Sequence, residues 1–267
     1  IEYIVLIILG MVTSLSLPPF NYFIINFFTF SLFFLFLIKK SNQINDKSFF
    51  FIYGWLFGFG YFISNLYWIS ISLTHDQSFK FLIPIVIFLI PSFLAIFYGL
   101  LTYLFIWLKP KGIICSFLIF SLIFSILEFI RGSIFTGFPW NLIAYSFSNQ
   151  LEILSAVSII GTYGFNLFCI SLFTGPALFF LKDTRKAMGI NFFLVIIVIF
   201  FYFYGNFYEK KFNKTVQIDY EYKIRAIGTN ISLDRFYNNI DPISVIQDLI
   251  KISSPNNNEK TIFVWPE

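Results

Sequence analysis

The sequence predicts a polytopic α-helical membrane domain of about seven spans, followed by a single βαβ unit of an α/β domain. Three observations carry that reading: a composition too apolar for a soluble core, a series of apolar stretches of membrane-crossing length, and a change to balanced charge after residue 206. Of the 267 residues, 58% are hydrophobic and 12% charged, and the mean hydropathy is +0.79. Soluble domains run at roughly 45–50% apolar and about 25% charged. A single core of this length could not enclose so many Phe, Ile and Leu side chains and still present a polar surface, so most of the chain must be solvated by lipid. The 41 Phe belong to a bias toward residues with A/T-rich codons and are no motif in themselves.

Crossing about 30 Å of hydrocarbon takes about 20 mostly apolar residues in a helix, somewhat fewer where the ends snorkel. The stretches that qualify run approximately from Tyr3 to Leu17, Tyr22 to Ile38, Phe49 to Leu73, Phe81 to Leu108, Ile113 to Ile130, Leu154 to Leu181 and Ile190 to Tyr204. They define a transmembrane domain over 1–206. The first is short and opens on Ile1, which is read as a trimmed or unusually initiated N-terminus. Loops after the second, fourth and sixth spans carry Lys39, Lys40, Lys47, Lys109, Lys111, Lys182, Arg185 and Lys186, whereas the alternate loops carry only Lys80 and Arg131. Basic loops stay cytoplasmic, so the N-terminus is expected inside and Phe207 onward outside.

In residues 207–267 eight basic residues face eight acidic ones, the signature of a water-exposed segment. Tyr222 to Ile227 alternates as a strand. Asp241-Pro242 supplies an N-cap and a first-turn proline for a helix over Ile243 to Ile252, and Thr261 to Val264 is an apolar second strand. Strand, helix and strand in that order normally make a parallel pair. A parallel pair needs layers on both faces, which 61 residues are too few to build, so the domain is expected to be incomplete.

Several functional classes lack material. No basic cluster interleaves with exposed aromatics as nucleic-acid binding requires. Cys115 and Cys169 lie in apolar runs, without disulfide or metal-ligand spacing, and read as small buried hydrophobes. His75 is the lone histidine and reads as a solvated loop residue. No metal and no cofactor is expected.

Short stretches in order then carry a resemblance: Leu17-Pro18-Pro19-Phe20-Asn21-Tyr22, Gly54 to Tyr61 leading to Leu66-Tyr67-Trp68-Ile69, Glu128-Phe129-Ile130-Arg131-Gly132, and Phe135-Thr136-Gly137-Phe138-Pro139-Trp140. Gly161-Thr162-Tyr163-Gly164, Gly228-Thr229-Asn230-Ile231 and Val264-Trp265-Pro266-Glu267 follow. Over essentially its whole length the chain resembles the apolipoprotein N-acyltransferases, bacterial inner-membrane enzymes with a nitrilase-like periplasmic domain. The resemblance implies that the βαβ unit is the first of a nitrilase-like fold, with 207–267 periplasmic. It also implies an acyl transfer in which a Cys thiolate takes a chain from a phospholipid donor and the N-terminal diacylglyceryl-cysteine of a lipoprotein accepts it. Glu267 falls on the family's catalytic Glu, the base toward that Cys. The family's Lys and Cys lie beyond the Trp-Pro-Glu strand, as does its closing membrane helix, so this chain alone is expected not to complete the reaction. An inactive truncated membrane remnant is the alternative reading. A small transporter ranks last for want of charges within the spans and of paired broken helices.

Three further positions are candidates for substrate binding. Tyr237 stands where the family often has a Trp, seven residues after Asn230, and competes with a half-buried strand-flanking Tyr. Arg131, spaced i, i+3 from Glu128 at the outer end of the fifth span, reads first as a structural ion pair and second as a lipid-headgroup contact. Trp140 fits a reentrant or interfacial loop, its indole at the headgroup level, and Trp68 reads as part of the same aromatic belt.

Overall fold

The computed structural model describes residues 1–134, 137–181, 184–214, 222–228, 241–256 and 259–265. They fall into two compact units, Ile1–Asn213 and Lys214–Glu267. The first is helical: α1 (Glu2–Ser14), α2 (Ile25–Ser41), α3 (Ser48–Leu66), α4 (Ile83–Leu108), α5 (Ile113–Ser133), the single turn α6 (Leu151–Leu154), α7 (Val157–Thr174) and α8 (Thr184–Asn213). Short 3-10 segments occupy Tyr67–Thr74, Gln77–Leu82, Ile143–Phe147 and Gly175–Phe180.

Among the described residues, five stretches are long and apolar enough to cross a membrane: Ser48–Thr74, Gln77–Leu108, Ile113–Ser133, Val157–Phe180 and Thr184–Asn213. The other two expected spans are helices, but α1 has 13 residues and α2 has 17 and ends on Lys39-Lys40-Ser41. They fall below, and at the bottom of, the range of about 17–25 residues that hydrocarbon demands. The expected sixth span is also not one helix. Ser155 and Ala156 separate α6 from α7, and Gly161 takes φ 71°, ψ 167° inside α7, a conformation open to glycine and costly for any residue with a Cβ.

The core sits among α2, α3, α4 and α5 and is made of phenylalanine. Phe30, Phe33 and Phe34 of α2, Phe57 of α3, Phe105 of α4 and Phe120 of α5 are fully buried. Phe33 stacks on Phe57 at 4.1 Å, and Phe34 meets Phe120 at 5.2 Å. Codon bias explains why the residue is abundant; packing explains which copies face inward. Others face out. On α8 only Ala187, Leu194, Phe201 and Gly205 are buried, while Phe192, Phe193, Phe200 and Phe203 are exposed. A helix that is apolar all round but buried on one stripe has lipid as its other solvent.

Between apolar helices in lipid the hydrophobic effect gives no attraction, so close approach and hydrogen bonds must hold them. α3 and α4 show both. A Cβ at Gly54 would collide with the Tyr98 carbonyl oxygen and the Thr102 side chain, so only glycine permits this spacing. Across the contact Thr102 Oγ1 donates to the Phe50 carbonyl, and Trp55 Nε1 to that of Ser92 at 3.0 Å.

The second unit, among its described residues, is the expected βαβ arrangement: β1 (Lys223–Ala226), α9 (Pro242–Ser253) and β2 (Thr261–Val264). The strands pair in parallel, Lys223 opposite Thr261 through Ala226 opposite Val264. Asp241 caps α9 by accepting from the Ile243 amide, and Pro242 in the first turn has no amide to leave unpaired. Arg225 Nη1 donates to the Ser253 carbonyl at 3.0 Å, and Trp265 Nε1 to the Ser253 hydroxyl at 2.8 Å. Both bonds tie the sheet to the end of the helix.

Replacing Gly54 by Ala is expected to cost about 1–3 kcal/mol, the range for overpacking a filled site. Nothing lies within 4 Å of a Cβ at Gly189, so Gly189→Ala is expected to change stability by less than about 1 kcal/mol in either direction. Unfolding in mixed micelles compares the two.

Candidate functional site

The site begins at the last turn of α5. Glu128 and Arg131, three residues apart, lie on the buried face, and Arg131 Nη2 meets Glu128 Oε2 at 2.6 Å with the side chains 0% and 2% exposed. Arg131 Nη1 is spent on the chain that follows, donating to the carbonyls of Phe138 at 2.8 Å and Trp140 at 3.0 Å. The guanidinium also lies over the Phe62 ring, 5.2 Å from its centroid. After α5 the backbone turns back on itself, the Phe138 amide bonding to the Arg131 carbonyl at 3.1 Å. Tyr61 of α3 holds the far side of this turn through a 2.8 Å bond from its hydroxyl to the Asn141 carbonyl. One buried cation thus fixes two consecutive stations of the 137–141 segment.

That segment carries Trp140 outward. Its indole is 54% exposed and stacks on Trp68 at 5.4 Å and on Phe138 at 6.2 Å. Beside the tryptophans opens a cleft of about 590 Å³ walled by Leu17 to Phe20, Asn65, Trp68 and Tyr145. Ser148 Oγ bonds Asn21 Oδ1 at 3.0 Å across its rim, and Tyr22 turns back through its amide to the Leu15 carbonyl. Burial pushes the Tyr145 phenol above its ordinary pKa, so at neutral pH it stays protonated and remains a donor. Trp68 and Trp140 also wall a second hollow of about 540 Å³ with Ile69 and Phe138. Those two border a third groove, of about 610 Å³, lined by Leu89, Phe93 and Phe97 of α4. Polar lip, aromatic pair and apolar groove therefore share walls in series, a layout suited to an amphiphile whose head and tail need different surroundings.

Of the sequence-predicted site residues, the structure brings Arg131 and Trp140 together through the Trp140 carbonyl. It places Arg131 in the interior as the structural ion pair, with its Nη atoms committed to protein acceptors. Glu267 and Tyr237 lie outside the described residues, as does Asn230. Trp68 is more than a belt residue, since it forms a wall of two hollows. Cys115 corrects an expectation: it is exposed, on the outward side of α5, whereas Cys169 is buried as expected. An apolar run does not say which of its positions face lipid. His75 is exposed, on the rim of the second hollow. Residue-by-residue reading missed Tyr61, Asn65 and Tyr145. The available signal was the short motif-like stretches, because Tyr61, Trp68, Leu17 to Tyr22 and Trp140 all come from them.

A family model described as the apolipoprotein N-acyltransferase N-terminal domain matches residues 9–175. The chain belongs to the apolipoprotein N-acyltransferase family. A curated apolipoprotein N-acyltransferase of Rhizobium rhizogenes is 35% identical over 188 residues, 67% of this chain and 34% of the relative. Those of Rhizobium leguminosarum bv. trifolii and Rhodopseudomonas palustris are 30% and 27% identical, over 97% and 99% of the chain. The chain spans about half the length of these last two relatives, 50% and 51%. The matched N-terminal domain contains the whole cleft described above, from Leu17 to Tyr145.

Breaking a buried ion pair from one side leaves an uncompensated charge, at a cost of about 3–5 kcal/mol. Arg131→Gln is expected to destabilise the helical unit by about that much, and Glu128→Gln comparably. The double variant should cost less than the sum by about 1–3 kcal/mol. Unfolding of all four proteins in mixed micelles closes the cycle, and additive losses would mean the two side chains do not act as a pair.

Proposed function

We propose that this chain supplies the membrane domain and the opening βαβ unit of an apolipoprotein N-acyltransferase. The division would be 1–206 in the bacterial inner membrane and 207–267 as the start of a periplasmic nitrilase-like domain. The observation that carries the reading is the convergence of three family-like stretches, through Leu17 to Phe20, Tyr67-Trp68 and Trp140, on one cleft. Family membership over most of the chain supports it.

In this reading the apolar groove of α4 admits a phospholipid sideways from the bilayer. The polar cleft beside Trp68 and Trp140 holds a headgroup or the diacylglyceryl-cysteine of a lipoprotein at the outer interface. The chemistry runs in two steps. A nitrilase-type Cys thiolate attacks the ester carbonyl of the donor, forming a thioester and releasing the lysophospholipid. The α-amine of the acceptor cysteine then attacks the thioester, forming the amide and returning the thiolate. A Lys stabilises each oxyanion, and a carboxylate takes the thiol proton. Glu267 is assigned that carboxylate because it stands three residues past Val264, at the carboxyl end of a parallel strand, where functional groups of α/β sheets gather. Tyr237 is assigned a wall of the same acyl site.

The test uses a protein that carries this chain together with the nitrilase-type Lys and Cys, assayed with a diacylglyceryl-cysteine peptide and phospholipid. Glu267→Gln keeps the shape and removes the proton acceptor, so thioester formation and peptide acylation should fall about 100- to 10,000-fold. Equal rates would remove Glu267 from the mechanism. The orientation has its own check. With Cys115 and Cys169 replaced, a Thr184→Cys variant should resist a membrane-impermeant thiol reagent in intact cells and react after permeabilisation, whereas Lys210→Cys should react in both.

A further inference from the structure

At the other end of the helical unit a second kind of pocket opens, about 430 Å³ in volume, where the ends of α2 and α4, the start of α5 and the 3-10 segment after α7 meet. Along α5 it is roughly 22 Å from the Arg131 turn, taking about 1.5 Å per residue from Ser116. Most of the length of α5 therefore separates this pocket from the cleft. Its polar lining is Lys109, Lys111, Asn42 and Ser116, and no carboxylate is among the described residues that line it. Neither lysine has an ion-pair partner among the described residues. Ser116 Oγ is turned to the carbonyls of Pro110 and Gly112 at 3.1 and 3.0 Å, so it fastens the turn that presents both lysines. The remaining wall is apolar, and Phe180, 76% exposed, continues it onto the lipid-facing surface.

We infer that this pocket binds the headgroup phosphate of an anionic glycerophospholipid. Two ammonium groups with no carboxylate among the described lining residues complement one phosphate diester. A pocket at the membrane end of several helices meets that phosphate at its natural depth, and the Phe180 and Leu181 wall takes the glycerol and the first methylenes. A free phosphate ion would use the lysines but not the apolar wall. The lipid held here sits at the opposite membrane face from the cleft, so its binding is independent of acyl transfer.

Native mass spectrometry of the full chain released from mild detergent, with phosphatidylglycerol or phosphatidylcholine added, reads occupancy directly. Phosphatidylglycerol should be retained about tenfold better or more. Lys109→Gln with Lys111→Gln should weaken it roughly 10- to 30-fold, the range for losing two basic residues at a lipid interface. Lys109→Arg with Lys111→Arg should restore retention, and Lys39→Gln with Lys47→Gln, outside the pocket lining, should leave it unchanged. Equal retention of the two lipids by the parent overturns the assignment, as does equal loss from the control pair. Displacement of the lipid by excess inorganic phosphate would make this a simple anion site and refute the lipid. If the glutamine pair fails to fold, the arginine pair and the two-lipid comparison on the parent still decide.

Discussion

The ion pair between Glu128 and Arg131 is the constraint around which the cleft end of the helical unit is arranged. Placing two charges where neither side chain is more than 2% exposed costs more desolvation than one salt bridge returns, unless the remaining hydrogen-bonding capacity is also used. Here part of it is used on the backbone, through Nη1, while Arg131 Nε and Glu128 Oε1 are buried with no hydrogen-bond partner among the described residues. The carbonyls of Phe138 and Trp140 belong to irregular chain, whose buried polar groups must find a partner in protein or water. The guanidinium supplies that satisfaction, with a planar fork that lysine could not imitate. The aromatic lip of the cleft is therefore a consequence of a buried charge in the last turn of α5 as well as of contacts among the aromatics themselves.

The rest of the unit follows a different rule. Its interior and its lipid-facing exterior are chemically alike, both rich in Phe, Ile and Leu, so burial cannot be the organising force that it is in water. Packing is decided by shape: ring against ring in the centre, and bare backbone against backbone where α3 meets α4. Arg131 and Glu128 are exceptions to the chemistry, and the glycines are exceptions to the bulk. Both kinds of exception determine which arrangement of a nearly uniform apolar chain is the folded one.

That uniformity explains what the sequence disclosed. The existence of helices was legible because apolar runs bounded by lysines have a length that only spans need. The βαβ unit was legible because Asp241-Pro242, the alternation around Ile224 and the short run at Thr261 are local signals. The pairing of Glu128 with Arg131 was legible from spacing alone. What could not be read was nonlocal or directional. Nothing near Arg131 in the chain announces that its second nitrogen reaches Trp140, and Asn21 meets Ser148 across 127 positions. The outward face of Cys115 is invisible when both faces of a helix are apolar. Gly161 looks like any glycine in an apolar run until its φ is known. The last two residues of the Trp-Pro-Glu motif, Pro266 and Glu267, lie outside the described residues, so their role rests on sequence and on the strand that precedes them.

The stripe by which α8 is held has a consequence for how the molecule meets membranes of different thickness. Ala187, Leu194 and Phe201 recur every seven residues, a repeat that drifts by about 20° per heptad on a straight helix and favours a gently supercoiled, shallow-angle contact. Thirty residues measure about 45 Å, more than the roughly 30 Å of hydrocarbon. The extra length is polar, Arg185 and Lys186 at one end and Glu209, Lys210 and Lys211 at the other, and a helix fastened along one narrow seam can adjust its tilt at a cost of fractions of a kcal/mol per Å. The interlocked phenylalanine rings of α2 to α5 have no such freedom. Adjustment to bilayers of different thickness therefore falls more easily on α8 than on the bundle that shapes the cleft.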